Sequence, residues 1–352
     1  MLHFIFECLQ TRDLSKNPFI NEYTPLMKIL VTGSSGHLGE ALVRTLRQQK
    51  QEVIGIDILP SPFTDAVGTI SDRQFVHTQM RGVSIVLHAA TLHKPHVKTH
   101  SRQDFIDANI TGTLNLLEAA AQAKVKSFIF TSTTSTFGDA MAPGPGESAA
   151  WVTEELQPVP KNIYGVTKTA AEDLCKLFAR NHALPCLVLR TSRFFLEEDD
   201  NREMRDQFAD ANIKANELLY RRVDIADVVD AHLLAIEKAP SIGFDRYIIS
   251  GTTPFTPEDL AQLRTHAPDV LRQKFPEYVD IYAKAGWQMF PGINRVYVNT
   301  KAIQELGWQP RYDFQHLLQS MATGQDPRSP LALSIGTKGY HDQSFSDGPY
   351  PV

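Results

Sequence analysis

From residue 27 onward, short apolar runs alternate with stretches of helical spacing. "KILVT", "EVIGID", the weaker "AVGTI", "VSIVLHAA", "KSFIFTST" and "PCLVLRTS" read as strands. Between them "HLGEALVRTLRQQ", "SDRQFVHTQM", "DFIDANITGTLNLLEAAAQA" and "NIYGVTKTAAEDLCKLFARNH" carry the helical period. The strand runs are apolar throughout rather than alternating, the pattern of strands covered on both faces, so the prediction is an α/β fold with a doubly wound parallel sheet. After residue 192 the pattern becomes irregular, then resumes as one more helix, "VDIADVVDAHLLAIEKA", and one more strand, "DRYIIS". The sheet is therefore expected over 27–192 plus 223–251, with a smaller C-terminal lobe from 193–222 plus 252–325. Residues 1–26 read as an extension ahead of the periodic pattern. Residues 326–352, rich in Gly, Pro, Ser and Asp, read as an irregular tail.

Composition narrows the function classes. The chain of 352 residues carries 35 Lys and Arg against 40 Asp and Glu, and a net charge of -5 does not suit nucleic acid or an anionic membrane surface. Three cysteines without metal or disulfide spacing suggest a reducing, cytoplasmic setting. No apolar run approaches the roughly 20 residues of a membrane span.

Chemistry enters at "MKILVTGSSGHLGEALVRTLRQ", where Gly33, Gly36 and Gly39 fall at the turn from strand to helix. Glycine there lets the backbone approach a ligand closely, and the first helical N–H groups face outward as a pyrophosphate site. Ser35, His37 and Leu38 lie in the same turn. Asp57, 18 residues beyond Gly39, closes the second strand, near the roughly 20 expected of a carboxylate that accepts ribose hydroxyls. A carboxylate there repels a 2′-phosphate, and neighbouring Ile58 and Leu59 offer no arginine, so NAD is expected rather than NADP. The predicted sheet is then of Rossmann type.

Tyr164 and Lys168 are four apart on a predicted helix and share one face. A tyrosine titrates near about 10, and bringing it to neutral pH needs roughly 4 kcal/mol of differential stabilisation. A nearby ammonium and a cationic nicotinamide ring supply charge of the right sign, which makes Tyr164 an acid/base for a substrate hydroxyl.

The Gly-x-x-Gly-x-x-Gly spacing, "VLHAAT", "ANITGTLNLLEAA", "FIFTSTTSTFGD", "YGVTK", "RRVDIADVVDAHLLAIE" and "NTKAIQELGWQPRY" occur in this order. Together they resemble the extended short-chain dehydrogenase/reductases, the NAD-dependent epimerase/dehydratase family, from about residue 28 to 322. The resemblance implies that Thr133 fixes the substrate oxygen beside Tyr164, with Ser132 the near alternative. It implies a structural and proton-relay role for Asn109. Ala89 and Ala90 are small enough for a cofactor to pass over, and Ile70 is placed for the adenine, although Thr69 stands where the family carries an aspartate. Thr91, Thr134, Arg193 and Arg295 are the candidate substrate contacts. The long helices holding Asn109 and Tyr164 resemble those that pair in family dimers, so a homodimer is implied.

His88, His93, His96 and His100 crowd one segment without interleaved carboxylate or thiolate, so no metal site is expected. They read instead as part of a basic loop at the mouth of the site. Trp287, Trp308 and Tyr312 read as core or lid aromatics. Family dehydratases carry an Asp-Glu pair after the active threonine, whereas Thr134 and Ser135 follow here, which disfavours dehydration. Epimerisation and net dehydrogenation both remain. The short segment 193–222 with its acidic "EEDD" points to a small, sugar-like substrate, a nucleotide sugar being the larger option. A non-catalytic NAD-binding regulator is the alternative of another class.

Overall fold

The computed structural model describes residues 27–339 together with His341, Phe345 and Gly348. The extension at residues 1–26 lies outside the described residues. Nine strands follow in chain order: β1 Lys28–Thr32, β2 Glu52–Asp57, β3 Ala66–Val67, β4 Ile85–His88, β5 Ser127–Thr133, β6 Ala150–Val152, β7 Cys186–Thr191, β8 Phe244–Ile249 and β9 Arg295–Tyr297. Seven form one sheet in the order β3-β2-β1-β4-β5-β7-β8, with every pairing parallel. The strand order reverses between β1 and β4, and at such a switch point a crevice opens outside the carboxyl ends. The register sets Thr32 level with His88, and Thr133 level with Thr191, so the chemistry-bearing ends gather on one edge.

The two-residue period of the strands sorts the apolar runs onto two faces. Ile29, Val31, Leu87, Ile129 and Leu189 pack on one side. Leu30, Val86, Phe128, Phe130 and Val188 pack on the other. All ten are at most 2% exposed, and burying each contributes roughly 1.5–3 kcal/mol. This is the physical content of strands that do not alternate.

Five helices cover the sheet in its first half: α1 His37–Gln48, α2 Arg73–Gln79, α3 Arg102–Phe105, α4 Gly112–Ala123 and α5 Ile163–His182. Asp72 caps α2, accepting from the N–H groups of Gln74 and Phe75, and Asn162 caps α5, accepting from Gly165. The single helix expected over "DFIDANITGTLNLLEAAAQA" is interrupted by a π-helical turn at Ile106–Thr111. Helical periodicity cannot register such a widened turn, which is frequently found at functional sites.

A separate apolar core, including Ile213, Leu219, Leu263, Leu271, Phe290 and Phe314, holds together the helices that follow β7 and β8. The small sheet of β6 and β9 lies beside it. Trp308 is fully buried in the main core, its indole N–H donating to the Asp227 carbonyl, while Trp287 packs in the smaller core. The tail departs from its expected irregularity. Residues Pro330–Ile335 form a helix whose Ala332 and Ile335 are buried in the main core. Its cap, Ser329, donates to Asp224 Oδ1 at 2.6 Å, an anchor 105 residues earlier that local composition does not reveal. Among the described residues no helix is long and apolar enough to cross a membrane.

Candidate functional site

The turn after β1 is built by close approach. Gly33 has φ +74°, and a Cβ there would lie 2.8 Å from the Ala90 nitrogen. A Cβ on Gly39 would lie 1.9 Å from the Gly33 carbonyl oxygen, so α1 seats against the strand end only with hydrogen at that position. Gly36 is the N-cap of α1 and supplies no side-chain cap, which leaves the positive end of the helix to an incoming anion. Asp57 is fixed at the end of β2: Oδ2 accepts from Ser35 N at 3.0 Å and Oδ1 from Leu59 N at 2.9 Å. Beside it Ile58 is 64% exposed. The turn, the uncapped helix and the placed carboxylate fit the pyrophosphate and ribose of a dinucleotide.

The other expected cofactor contacts are placed as follows. Ala89 and Ala90 are half-buried past the end of β4, both N–H groups donating to Thr32 Oγ1. Leu38 points into the core, so only its backbone belongs to the turn. The His37 ring donates to Glu197 at 2.7 Å. Ile70 is buried against Gly112 in the sheet core, with little surface left for a ligand.

At the end of β5, the Thr133 hydroxyl lies beside the Tyr164 phenol. Thr133 Oγ1 also accepts from Ser135 N, which holds the hydroxyl at the strand terminus. Burial pushes the Tyr164 phenol up to about 12, the Thr133 hydroxyl opposing it. The sequence reading expected a lowered tyrosine; here the Lys168 ammonium instead donates to the Thr131 carbonyl at 2.7 Å and sits 4.0 Å over the Phe130 ring. Burial brings Lys168 down to about 7, with Glu172 pulling the other way. Ser132, the alternative to Thr133, donates to Glu172 at 2.6 Å and is buried.

Asn109 lies in the π-helical turn. Its amide oxygen accepts from Thr91 Oγ1 and Leu92 N, and its nitrogen donates to the Leu92 carbonyl and to Thr167 Oγ1, all at 2.9–3.0 Å. Asn109 therefore ties the segment after β4 to the helix that carries Tyr164 and Lys168. The Thr91 hydroxyl, expected on the substrate, is turned to Asn109 and the Leu92 carbonyl. Buried His88 bridges Thr32 and Thr113, and burial lowers it well below the usual histidine value. His93, His96 and His100 pack edge-on against one another in the following segment. Among the described residues no group of three or more His, Cys, Asp or Glu is placed to hold a metal ion.

On the lobe side, Arg193 bonds to Asp199, to Asp200 at 3.0 Å and to Glu217 at 2.8 Å. Lys94 also pairs with Asp200. The acidic run is thus folded back on the cations near the crevice. Thr134 is buried in the turn after β5, and Arg295 lies on β9 with Nε 3.2 Å from the Tyr297 hydroxyl. Two acidic residues stand out that the sequence reading passed over, Glu172 and Glu217, while Glu197 was read only as part of the acidic run. Glu172 was open to discovery, since 164, 168 and 172 recur every four residues along one face of α5. Its carboxylate accepts from Ser132, Arg190 and Arg246 while fully buried. Glu197 depends on a partner 160 residues away, whereas Glu217 pairs with Arg221 and Arg222 just after it and with Arg193.

The NAD dependent epimerase/dehydratase family model matches residues 29–249. An uncharacterized UDP-glucose epimerase, YtcB, from Bacillus subtilis is 30% identical over 185 residues, 47% of this chain and 55% of that protein. The chain spans only 33–55% of the length of the first three curated relatives it matches. A UDP-glucose 4-epimerase from Streptococcus mutans is 26% identical over 82% of this chain and 93% of its own. Among solved structures, a short-chain dehydrogenase/reductase superfamily protein from Agrobacterium tumefaciens with bound NAD superposes with a TM-score of 0.61, at 24% identity, over 84% of this chain and 96% of that one. The matched span runs from the glycine turn through Tyr164 and Lys168 to the last strand of the sheet, and on that ground this chain belongs to the NAD-dependent epimerase/dehydratase family.

Proposed function

We propose that this protein is an NAD-dependent epimerase acting at a secondary alcohol of a sugar or nucleotide sugar. The observation that carries the reading is the placement of the Thr133 hydroxyl, at the end of β5, beside the Tyr164 phenol, with Lys168 one helical turn further along α5. Both hydroxyls address one substrate oxygen. NAD, when bound, supplies a hydride acceptor and donor at the carbon bearing that oxygen. Tyr164 takes the alcohol proton as the carbonyl forms and returns it in the second half of the cycle. Its neutral form, favoured by burial, is the one that gives a proton to a ketone oxygen. The Lys168 ammonium favours the phenolate needed for the first half. Gly33, Ser35, Gly36 and the start of α1 hold the pyrophosphate, and Asp57 the ribose.

The lobe built from 193–222 and 252–325 is the substrate side in this reading. Asp199, Asp200 and Glu217 already engage Arg193, Arg221, Arg222 and Lys94, so these cations are taken ahead of any nucleoside diphosphate. This favours a compact sugar or sugar acid, and it keeps net NAD-dependent dehydrogenation as the second reading. Dehydration lacks its acid/base pair, since Thr134 and Ser135 follow Thr133. A non-catalytic NAD-binding regulator has no use for the Thr133, Tyr164 and Lys168 set. Val166 and Leu177, eleven residues apart on one face of α5, are exposed together with Ile106, and this face supports a homodimer.

Purified protein separates the two readings. Sugar inverted by NMR, with NAD retained and no net NADH, supports epimerisation; stoichiometric NADH from protein that arrives without cofactor overturns it. The Asp57 reading has its own test. Asp57→Ala removes an acceptor for the ribose hydroxyls and a charge that repels a 2′-phosphate, so the preference for NAD over NADP in binding titrations falls about tenfold. A wild type that prefers NADP refutes the assignment.

A further inference from the structure

One oxygen of Glu197 joins three separate parts of the chain. Oε1 accepts from the His37 ring at 2.7 Å, from Lys338 N at 2.8 Å and from Gly339 N at 3.1 Å. His37 opens α1, Glu197 follows β7, and Lys338 and Gly339 lie beyond the helix Pro330–Ile335. The Lys338 ammonium adds a bond to Glu40 of α1 at 2.5 Å. Three residues on, His341 Nε2 meets the Pro95 carbonyl at 3.0 Å, and its ring packs edge-on against His96. Lys338 thus reaches α1, and His341 reaches the segment after β4. These are the two flanks of the β1/β4 switch point, where a dinucleotide lies in a doubly wound sheet.

The clasp is firm for a surface segment. Glu197 is 7% exposed. Burial raises its carboxyl, yet the His37 and Lys338 bonds bring it to about 2, so it stays charged. Its donors include two backbone N–H groups, which no rotamer change releases. Behind them the helix Pro330–Ile335 is anchored in the core through Ala332 and Ile335.

We propose that residues 336–339 and His341, clasped by Glu197, form a strap across the cofactor crevice that keeps NAD bound from one half-reaction to the next. This deepens the epimerase reading and rests on it, since an enzyme that returns hydride to the same carbon must not release the dinucleotide midway. The strap acts on the release rate, as closing segments do.

The test loads full-length protein with radiolabelled NAD and follows release into excess unlabelled NAD, without substrate. Two variants are compared with wild type: Glu197→Gln, which removes the charge of the hub, and Lys338→Pro, which removes one N–H donor and the lysine within the strap itself. Each is expected to release NAD about tenfold faster, the loss of one or two charge-assisted hydrogen bonds. Far-UV circular dichroism verifies folding, and should Glu197→Gln fail to fold, Lys338→Pro decides. Release from folded Lys338→Pro at the wild-type rate, or slower, overturns the strap. The two readings fail differently: unchanged release with inversion intact sinks the strap alone, whereas free NADH without inversion sinks the epimerase reading.

Discussion

Tyr164→Phe is expected to lower kcat by about a thousandfold, within the range that positioned acid/base groups contribute, while NAD affinity stays within about twofold. The substitution deletes one oxygen and leaves the ring, which is buried in the wild type, in place. The proposed pyrophosphate and ribose contacts, Gly36 and Asp57, lie on other elements, so binding of the dinucleotide is not expected to depend on the phenol. Thr133 keeps its bond from Ser135 N and continues to address the substrate oxygen. Steady-state kinetics on the inverted sugar, beside a direct NAD titration, check both halves. Catalysis within about tenfold of wild type removes Tyr164 from the acid/base role.

The largest stability effect is expected at Glu172. Its carboxylate takes Arg190 through Nε at 3.0 Å and Nη2 at 2.7 Å, Arg246 at 2.9 Å and Ser132 at 2.6 Å, all with Glu172 fully buried. Glu172→Gln leaves the Arg190 guanidinium, whose side chain is 3% exposed, without its counter-charge. Arg246 has an outlet in Asp173, but among the described residues Arg190 has no ion pair besides Glu172. Breaking a buried pair from one side costs about 3–5 kcal/mol, read as a lower midpoint in urea unfolding. A double replacement of Glu172 and Arg190 by methionine is expected to recover most of that loss, because the uncompensated charge is then gone. An unchanged midpoint in Glu172→Gln would show that the pair carries no net stability.

Much of the site was legible because its chemistry is local. Gly33, Gly36 and Gly39 report a tight turn wherever they occur between a strand and a helix, and the structure gives the steric reason at two of them. Tyr164 and Lys168 declare their shared face by spacing alone. Asn109 was legible as a polar residue within a helical run, but not as the occupant of a π-helical turn, because a wider turn leaves no mark on the apolar period. Thr91 and Ile70 were assigned to ligands from their neighbourhood in sequence. In the structure Thr91 bonds to Asn109 and Ile70 packs against Gly112, contacts that their neighbourhood in sequence does not reveal.

What the sequence determined by itself is the sheet, its parallel sense, the glycine turn with its carboxylate, and the tyrosine–lysine face. Each follows from dihedral preference, strand and helix period, or the burial of apolar runs, all of which act within a few residues. The tertiary structure alone decided how charges are partnered across the chain. It folded Asp199 and Asp200 back onto Arg193 and Lys94, set Glu172 between Arg190 and Arg246, and brought Lys338 across 141 residues to Glu197. An ion pair or a hydrogen bond acts over a few ångströms of space and is indifferent to separation along the chain, so its partners exist only once the fold has placed them.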